Sequence, residues 1–175
     1  MAKSDSFFIR ADVTSDAANF AQAEIDLGSY VNLGVSKSTL LRVHNVAISL
    51  ADPDDPATQA WALLDANAET AISMQLTTQS QTTIVHASDK SVISSGKVFL
   101  ANSSSTATNL TLIDESFDVL PQMWTKGYLV GVDSLYWGIE TNIAISGNVR
   151  ASIVMECTLE NATQANSVAL ALSQQ

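Results

Sequence analysis

Alternation of apolar and polar residues with a period of two is the feature that most constrains the fold of this chain. One phase of the segment 148–159 is apolar and consists of Val149, Ala151, Ile153, Met155, Cys157 and Leu159. Most residues of the other phase are polar. Successive side chains of a strand point to opposite faces, so the pattern predicts a long, half-buried β-strand. The period near 3.6 that is typical of an amphipathic helix is rare in this chain.

A second long strand is predicted over residues 39–50. Its first half has apolar residues at Leu41 and Val43, whereas its second half has them at Val46 and Ile48 in the opposite phase. A single extra residue in one strand of a pair changes the face to which later side chains point. The sequence therefore predicts a β-bulge, or a change of burial partner, in the middle of this strand.

Shorter alternating or β-branched segments bring the count to eight to ten strands, with turn residues between them. They are residues 7–13, 22–27, 69–77, 81–86, 91–101, 106–113, 128–132 and 134–139. Helical composition is limited to residues 59–68 and to residues 164–173, which fit either a helix or a final strand. We therefore predict an all-β protein, an antiparallel β-sandwich of the eight-stranded jelly-roll type, with at most two short helices. Residues 1–175 show no repeat and no linker, so they are assigned to one domain.

The surface composition indicates contact with other protein molecules. Charged residues make up 15% of the chain, against about 25% in an average protein. Interface cores are depleted in charge, so a surface rich in small neutral polar residues suits a subunit that is covered by its neighbours. A solitary sandwich domain with a Ser/Thr-rich surface is the alternative reading of the same composition.

The charge distribution argues against nucleic-acid and membrane partners. The formal net charge is −10. The eight basic residues are scattered along the sequence: Lys3, Arg10, Lys37, Arg42, Lys90, Lys97, Lys126 and Arg150. Binding to phosphate backbones or anionic lipids requires clustered Lys and Arg, so direct nucleic-acid contact is disfavoured and any membrane contact is expected to be indirect.

The sequence contains no motif that predicts catalysis or a cofactor. His44 and His86 lie in predicted strands without a third ligand at zinc-binding spacing, and they are interpreted as packed or hydrogen-bonded histidines. No Gly-x-Ser-x-Gly or phosphate-binding loop occurs. We therefore expect no catalytic residues and no cofactor.

Two clusters of acidic residues are candidate sites. Asp52, Asp54 and Asp55 could place oxygens around Ca²⁺, but Asp next to Pro is also a common way to form a turn, which is the favoured interpretation. The group Asp114, Glu115 and Asp118, within residues 112–120, is interpreted as a solvated loop.

The single cysteine, Cys157, lies in the apolar phase of its strand and is predicted to be a small buried hydrophobe. The N-terminal ten residues lack the apolar region of a secretory signal, which predicts synthesis in a cytosol.

Large aromatic residues near positions 124–137 are the remaining candidate site. They comprise Trp124, Tyr128, Tyr136 and Trp137, to which Trp61 adds a more distant member. Exposed Trp and Tyr side chains stack on sugars, whereas buried ones fill a core or a subunit interface. We predict the core or interface role, with a ligand-binding role as the alternative.

The predicted order of two long strands around several short ones resembles the single jelly-roll major capsid proteins of tailless icosahedral viruses of bacteria and archaea. The resemblance covers most of the chain and has no diagnostic motif. It implies a non-enzymatic, self-assembling virion subunit that forms homo-oligomers, with or without a second coat protein. We predict that residues 1–13 and 161–175 contribute to subunit contacts. The alternatives are a carbohydrate-binding or adhesin-like sandwich, as in a spike, fibre or pilus, and an enzyme built on a β-sandwich.

Overall fold

A computed structural model describes residues 5–16, 19–33, 37–58, 68–102, 112–141 and 147–174. Within these ranges the chain forms nine strands and one α-helix. The strands are β1 (Phe7–Thr14), β2 (Ala21–Asp26), β3 (Lys37–Ala51), β4 (Glu69–Thr77), β5 (Val92–Ala101), β6 (Leu112–Val119), β7 (Tyr128–Val130), β8 (Ser134–Thr141) and β9 (Arg150–Thr163). A short 3-10 helix spans Pro121–Met123, and α1 spans Gln164–Ser173.

The strands form two antiparallel sheets that pack face to face. The four-stranded sheet has the order β1-β9-β3-β7, and the five-stranded sheet has the order β2-β8-β4-β5-β6. If β6 is set aside, the first strand pairs with the last, the second with the last but one, and so on inward to β4 and β5. This nested pairing is the topology of a jelly roll, which confirms the predicted fold class. Strand β6 is an addition at one edge of the five-stranded sheet.

The two longest strands, β3 and β9, form the centre of the four-stranded sheet. Their antiparallel register runs from the pair Lys37 and Thr163 to the pair Ala51 and Arg150. The register shifts between Val43 and Asn45, which confirms the β-bulge predicted from the change of apolar phase.

The core lies between the inner faces of the sheets. It is formed by fully buried side chains, the largest of which is Trp137 on β8. The Trp137 Nε1 atom donates a hydrogen bond to the Ala151 carbonyl oxygen at 3.0 Å. Because Ala151 belongs to β9, this bond joins the five-stranded sheet to the four-stranded sheet across the core.

Helix α1 packs on the outer side of the four-stranded sheet. The Thr163 side chain caps its N-terminus by accepting a hydrogen bond from the Asn166 backbone N–H, as N-cap threonines commonly do. The Ser167 hydroxyl donates to the Ser38 hydroxyl at 2.8 Å, and both side chains are buried. The prediction of a helix rather than a strand at residues 164–173 is therefore the correct alternative. Among the described helices, none is long and apolar enough to cross a membrane.

Two local predictions were wrong. Residues 81–86 do not form a strand, because their backbone is bound by side chains of the underlying sheet, as described below. Residues 112–119 form strand β6 rather than a solvated loop. An edge strand can carry many acidic side chains because much of it faces water. Residues 59–67 of the predicted helix over 59–68 and residues 106–111 of the predicted strand over 106–113 lie outside the described residues.

Candidate functional site

The outer face of the four-stranded sheet presents exposed cationic and aromatic side chains. On β1, Phe8 is 54% exposed, and the Arg10 guanidinium lies 5.6 Å from the centre of its ring. On the same face, Arg150 forms a 2.7 Å ion pair with Asp12. We call this surface, together with the adjoining loop of residues 121–127, the open face.

A cavity of about 480 Å³ lies on the open face where β3, β9 and the 121–127 loop meet. Arg42 forms a bidentate pair with the Glu160 carboxylate, with a 2.7 Å bond between Nη2 and Oε2. The Arg42 Nη1 atom also donates to the Lys126 carbonyl oxygen at 2.7 Å. The His44 Nε2 atom lies 2.8 Å from the Thr158 hydroxyl. Four titratable side chains, those of Arg42, His44, Lys126 and Glu160, thus line one cavity.

The Arg42–Glu160 pair determines the electrostatics of this cavity. Hydrogen bonds from Arg42 hold the pKa of the Glu160 carboxyl below its ordinary value, and the same contact raises the pKa of Arg42. Both groups therefore stay charged at neutral pH. Glu160 is the only carboxylate among the described residues that line this cavity, and it is already paired with Arg42. Lys126 therefore has no carboxylate partner of its own among these described residues.

The loop of residues 121–127 is fixed to the bulge in β3. The Gln122 side-chain amide pairs with the Val46 backbone, accepting from its N–H at 3.1 Å and donating to its carbonyl oxygen at 3.0 Å. Gly127 has a φ of 63°, and a Cβ atom at this position would lie 2.2 Å from the Val43 carbonyl oxygen. Only glycine allows the loop to approach β3 this closely.

The fixed loop presents two large apolar side chains to solvent. Met123 is 59% exposed and Trp124 is 55% exposed. Trp124 also borders a groove of about 590 Å³ that is lined by Tyr128 and Leu170 among others. Burial raises the pKa of the Tyr128 hydroxyl, which is partly offset by its hydrogen bond with Gln174.

The four aromatic residues predicted as one candidate site do not lie together. Trp124 and Tyr128 share the groove, whereas Tyr136 lies half-buried on β8 in the other sheet. Trp137 does not reach a surface, because it fills the core. Its burial agrees with the predicted role in the core and not with the alternative of stacking on a ligand.

The outer face of the five-stranded sheet, which we call the covered face, differs because residues 79–91 lie over it. The buried Gln75 side chain accepts a 2.9 Å hydrogen bond from the Val85 N–H and donates to the Thr83 carbonyl oxygen. Glu140 accepts bonds from the Thr83 hydroxyl and the Ile84 N–H, each at 3.1 Å. Polar contacts therefore hold the covering segment in place.

A smaller cavity of about 370 Å³ lies beneath this covering segment. Its lining includes His86, Ser95, Lys97 and Asp118. Ser95 is buried, and its hydroxyl has no hydrogen-bond partner among the described residues. His86, which was interpreted as a packed or hydrogen-bonded histidine, is exposed and borders this cavity.

The acidic loop that was considered for calcium forms a turn. The Asp52 carboxylate accepts bonds from the N–H groups of Asp54 and Asp55 at 2.8 and 3.1 Å. Asp55 in turn accepts from the Thr58 hydroxyl at 2.8 Å. No three His, Cys, Asp or Glu side chains in the described ranges are grouped so that they could hold a metal ion. The turn interpretation accounts for these aspartates.

Cys157 is fully buried on the inner face of β9. Burial raises the pKa of its thiol to about 12, with a smaller contribution from the neighbouring Glu156 carboxylate. A thiol with this pKa carries almost no thiolate at neutral pH, which agrees with its predicted role as a buried apolar residue.

Sequence reasoning missed the cation cluster of the open face. Arg42 and Glu160 are 118 positions apart in the sequence, and Lys126 lies in a third segment. No local pattern marks these residues as neighbours, so the basic residues looked scattered. The available signal was that Arg42 and His44 are two positions apart in a predicted strand, which places both side chains on one face.

Comparisons with known proteins identify similar folds but no family. No family model matches the chain, and no curated protein matches it. VP1 of human polyomavirus 12, solved with 3'-sialyllactosamine, has a TM-score of 0.50 and 9% identity over 91% of this chain and 100% of that chain. VP1 of trichodysplasia spinulosa-associated polyomavirus, solved with 3'-sialyllactose, has a TM-score of 0.50 and 6% identity over 88% and 96% of the two chains. The chain thus shares the jelly-roll fold of these viral capsid proteins.

Proposed function

We propose that this protein is a self-assembling structural subunit of a virion shell and that it has no catalytic role. The observation that carries the proposal is the nested strand pairing of a jelly roll, which spans nearly the whole chain and matches the VP1 fold over its full length. A fold alone does not determine function. The low charge content and the open face provide the additional support, since both suit a molecule that is buried by its neighbours.

Several finer features belong to the same proposal. The subunit is located in the virion after synthesis in the host cytoplasm, and it forms homo-oligomers with or without a second coat protein. Its net charge of −10 favours a shell that does not contact the genome directly and meets a membrane at most indirectly. The similar structures reported above come from polyomaviruses, so they give no support for a host among bacteria or archaea.

We also propose that both terminal segments contribute to subunit contacts. Residues 7–14 form the edge strand β1, whose outer side chains Phe8 and Arg10 lie on the open face. Residues 164–173 form α1, which exposes Val168 and Leu172. Exposed apolar side chains on an edge strand and on a surface helix are suited to contact with a neighbouring subunit.

Light scattering of the purified protein, followed by electron microscopy of the same sample, tests the proposal. We expect large regular particles or closed rings whose abundance rises with protein concentration. A monomer at every concentration, in both low and physiological salt, would contradict a self-assembling role.

A second candidate function, glycan binding, is favoured by Trp124. This side chain is 55% exposed on a fixed loop beside a groove that also contains the Tyr128 ring. Aromatic rings held in this way stack on sugar rings. Two of the VP1 proteins of similar fold were solved with sialylated oligosaccharides. A glycan array probed with the native protein and with Trp124→Ala tests this role. Binding that is lost in Trp124→Ala supports it, and an array without signal contradicts it.

A further inference from the structure

We infer that the open face binds the β6 edge of a second copy of the same chain, which makes the contact heterologous. The inference rests on the proposed self-assembly and names the surfaces that carry it. Each copy has one open face and one β6 edge, so every subunit can bind one neighbour with each surface. Such head-to-tail contacts produce closed rings or extended arrays.

The open face belongs to the more basic sheet. The strands of the four-stranded sheet contain four basic residues, Lys37, Arg10, Arg42 and Arg150, against three acidic ones, Asp12, Glu156 and Glu160. Lys126 of the adjoining loop adds a further positive charge. The described strands of this sheet are therefore less acidic than expected for a chain with a net charge of −10.

The cations of the open face differ in their availability. Arg42 forms an ion pair with Glu160, and Arg150 forms one with Asp12, both within the subunit. Arg10 and Lys126 form no ion pair with another described residue. Arg10 lies over the exposed Phe8 ring, so it offers a partner both charge and apolar contact area.

The β6 edge has the complementary charge. The strands of the five-stranded sheet contain seven acidic residues and one lysine, and β6 alone contributes Asp114, Glu115 and Asp118. These three side chains are exposed. Asp114 and Glu115 form no ion pair with another described residue. By contrast, Glu24 on the opposite edge strand accepts a 2.7 Å bond from the Ser134 hydroxyl.

Within the described part of the chain, strand β6 is also an edge strand. It pairs only with β5 among the described strands. Exposed strand edges are normally protected by charge or by a covering segment. Acidic side chains keep the β6 edges of separate copies apart through like-charge repulsion, while they attract a face that carries unpaired cations. Charge complementarity therefore selects the open face of a second copy as the occupant.

Charge reversal tests the contact in the full-length chain. We expect the variant Arg10→Glu/Lys126→Glu to weaken association at least about tenfold, because two unpaired cations would become anions facing β6. We expect the variant Asp114→Lys/Glu115→Lys to weaken it similarly. Light scattering and electron microscopy against the unmodified protein measure both effects, and circular dichroism verifies folding.

Rescue distinguishes this contact from general damage. A chain that carries all four substitutions exchanges the two charges and should assemble again, and an equimolar mixture of the two double variants should co-assemble. The control Lys90→Glu reverses the charge of a lysine that lies outside the open face and outside β5 and β6, and it should assemble normally.

The outcomes separate the two proposals. If the unmodified protein forms particles but neither double variant reduces them, or if rescue fails, the inferred contact is wrong while the capsid role stands. If the unmodified protein never assembles, the proposed function itself fails, and the contact fails with it.

Discussion

The outer faces of the two sheets differ in how far other segments of the chain cover them. The covered face of the five-stranded sheet is overlaid by residues 79–91, which are bound by the side chains of Gln75 and Glu140. The open face of the four-stranded sheet retains exposed Phe8, Arg10 and Trp124. Both sheets are built from similar alternating strands. Alternation therefore predicts which side of a strand faces the core, but it does not predict whether the outer side is covered or exposed. In this protein residues 79–91 lie over one outer face, whereas α1 covers part of the other and leaves Phe8, Arg10 and Trp124 exposed.

The largest effect is expected from the residue that joins the two sheets. Trp137→Ala would remove the largest buried side chain of the core together with its hydrogen bond to Ala151. We expect the free energy of unfolding to fall by about 3–5 kcal/mol. Trp124→Ala, on the open face, should change it by less than about 0.5 kcal/mol. Chemical denaturation of both variants measures the difference. Equal decreases in the free energy of unfolding would contradict the distinction between core and open face.

A smaller effect is expected from the side chain that holds the covering segment. Gln75→Leu leaves the Val85 N–H and the Thr83 carbonyl oxygen without their partner. We expect a loss of about 1–3 kcal/mol, because the amide is buried, and faster hydrogen exchange at Val85. Gln122→Leu makes the same change at the exposed loop of the open face. Its cost should be below that of Gln75→Leu, and the reverse order would contradict the distinction between the two faces.

The smallest effect is expected from the ion pair of the open face. Hydrogen bonds from Arg42 lower the pKa of Glu160 in the folded protein. The pair therefore contributes stability above the unfolded pKa of a glutamate, about 4.3, and this contribution is lost as the pH falls through the lower folded pKa. Because Glu160 is 41% exposed, we expect no more than about 1 kcal/mol.

Thermal denaturation of Glu160→Gln against pH measures this contribution. The variant should be less stable than the unmodified protein at pH 7, and the difference should shrink toward zero as the pH falls below the folded pKa of Glu160. The unrelated variant Glu69→Gln, at an exposed site on β4, serves as control and should show no such trend. A pH-independent difference for Glu160→Gln would show that the pair does not stabilise through its charge.

Much of the fold could be predicted from the sequence because strand signals are local. Strand β4 was predicted with its observed bounds, and the bulge near Val43 followed from a change of phase within one segment. The prediction failed for residues 81–86, where alternation exists but no neighbouring strand edge is used. It also failed for β6, because three acidic residues in eight indicate solvent contact and do not reveal an edge strand.

The candidate site was less predictable because its members are distant in the sequence. Trp124 and Trp137 occur in similar aromatic surroundings, yet one is exposed and the other fully buried. The sequence does not indicate which sheet a segment joins or which neighbour covers it, so it could not separate them. The cluster of Arg42, His44 and Lys126 was missed for the same reason.

The sequence by itself determined an all-β sandwich with two long strands, a bulge, one buried cysteine and a surface low in charge. These properties depend on composition or on residues that are neighbours along the chain, so they can be inferred without the tertiary structure. Only the tertiary structure decided that β1, β3 and β9 lie side by side, that residues 79–91 cover one sheet, and that cations gather on the other. Those outcomes depend on pairings between segments up to 118 positions apart, for which the sequence carries no local signal.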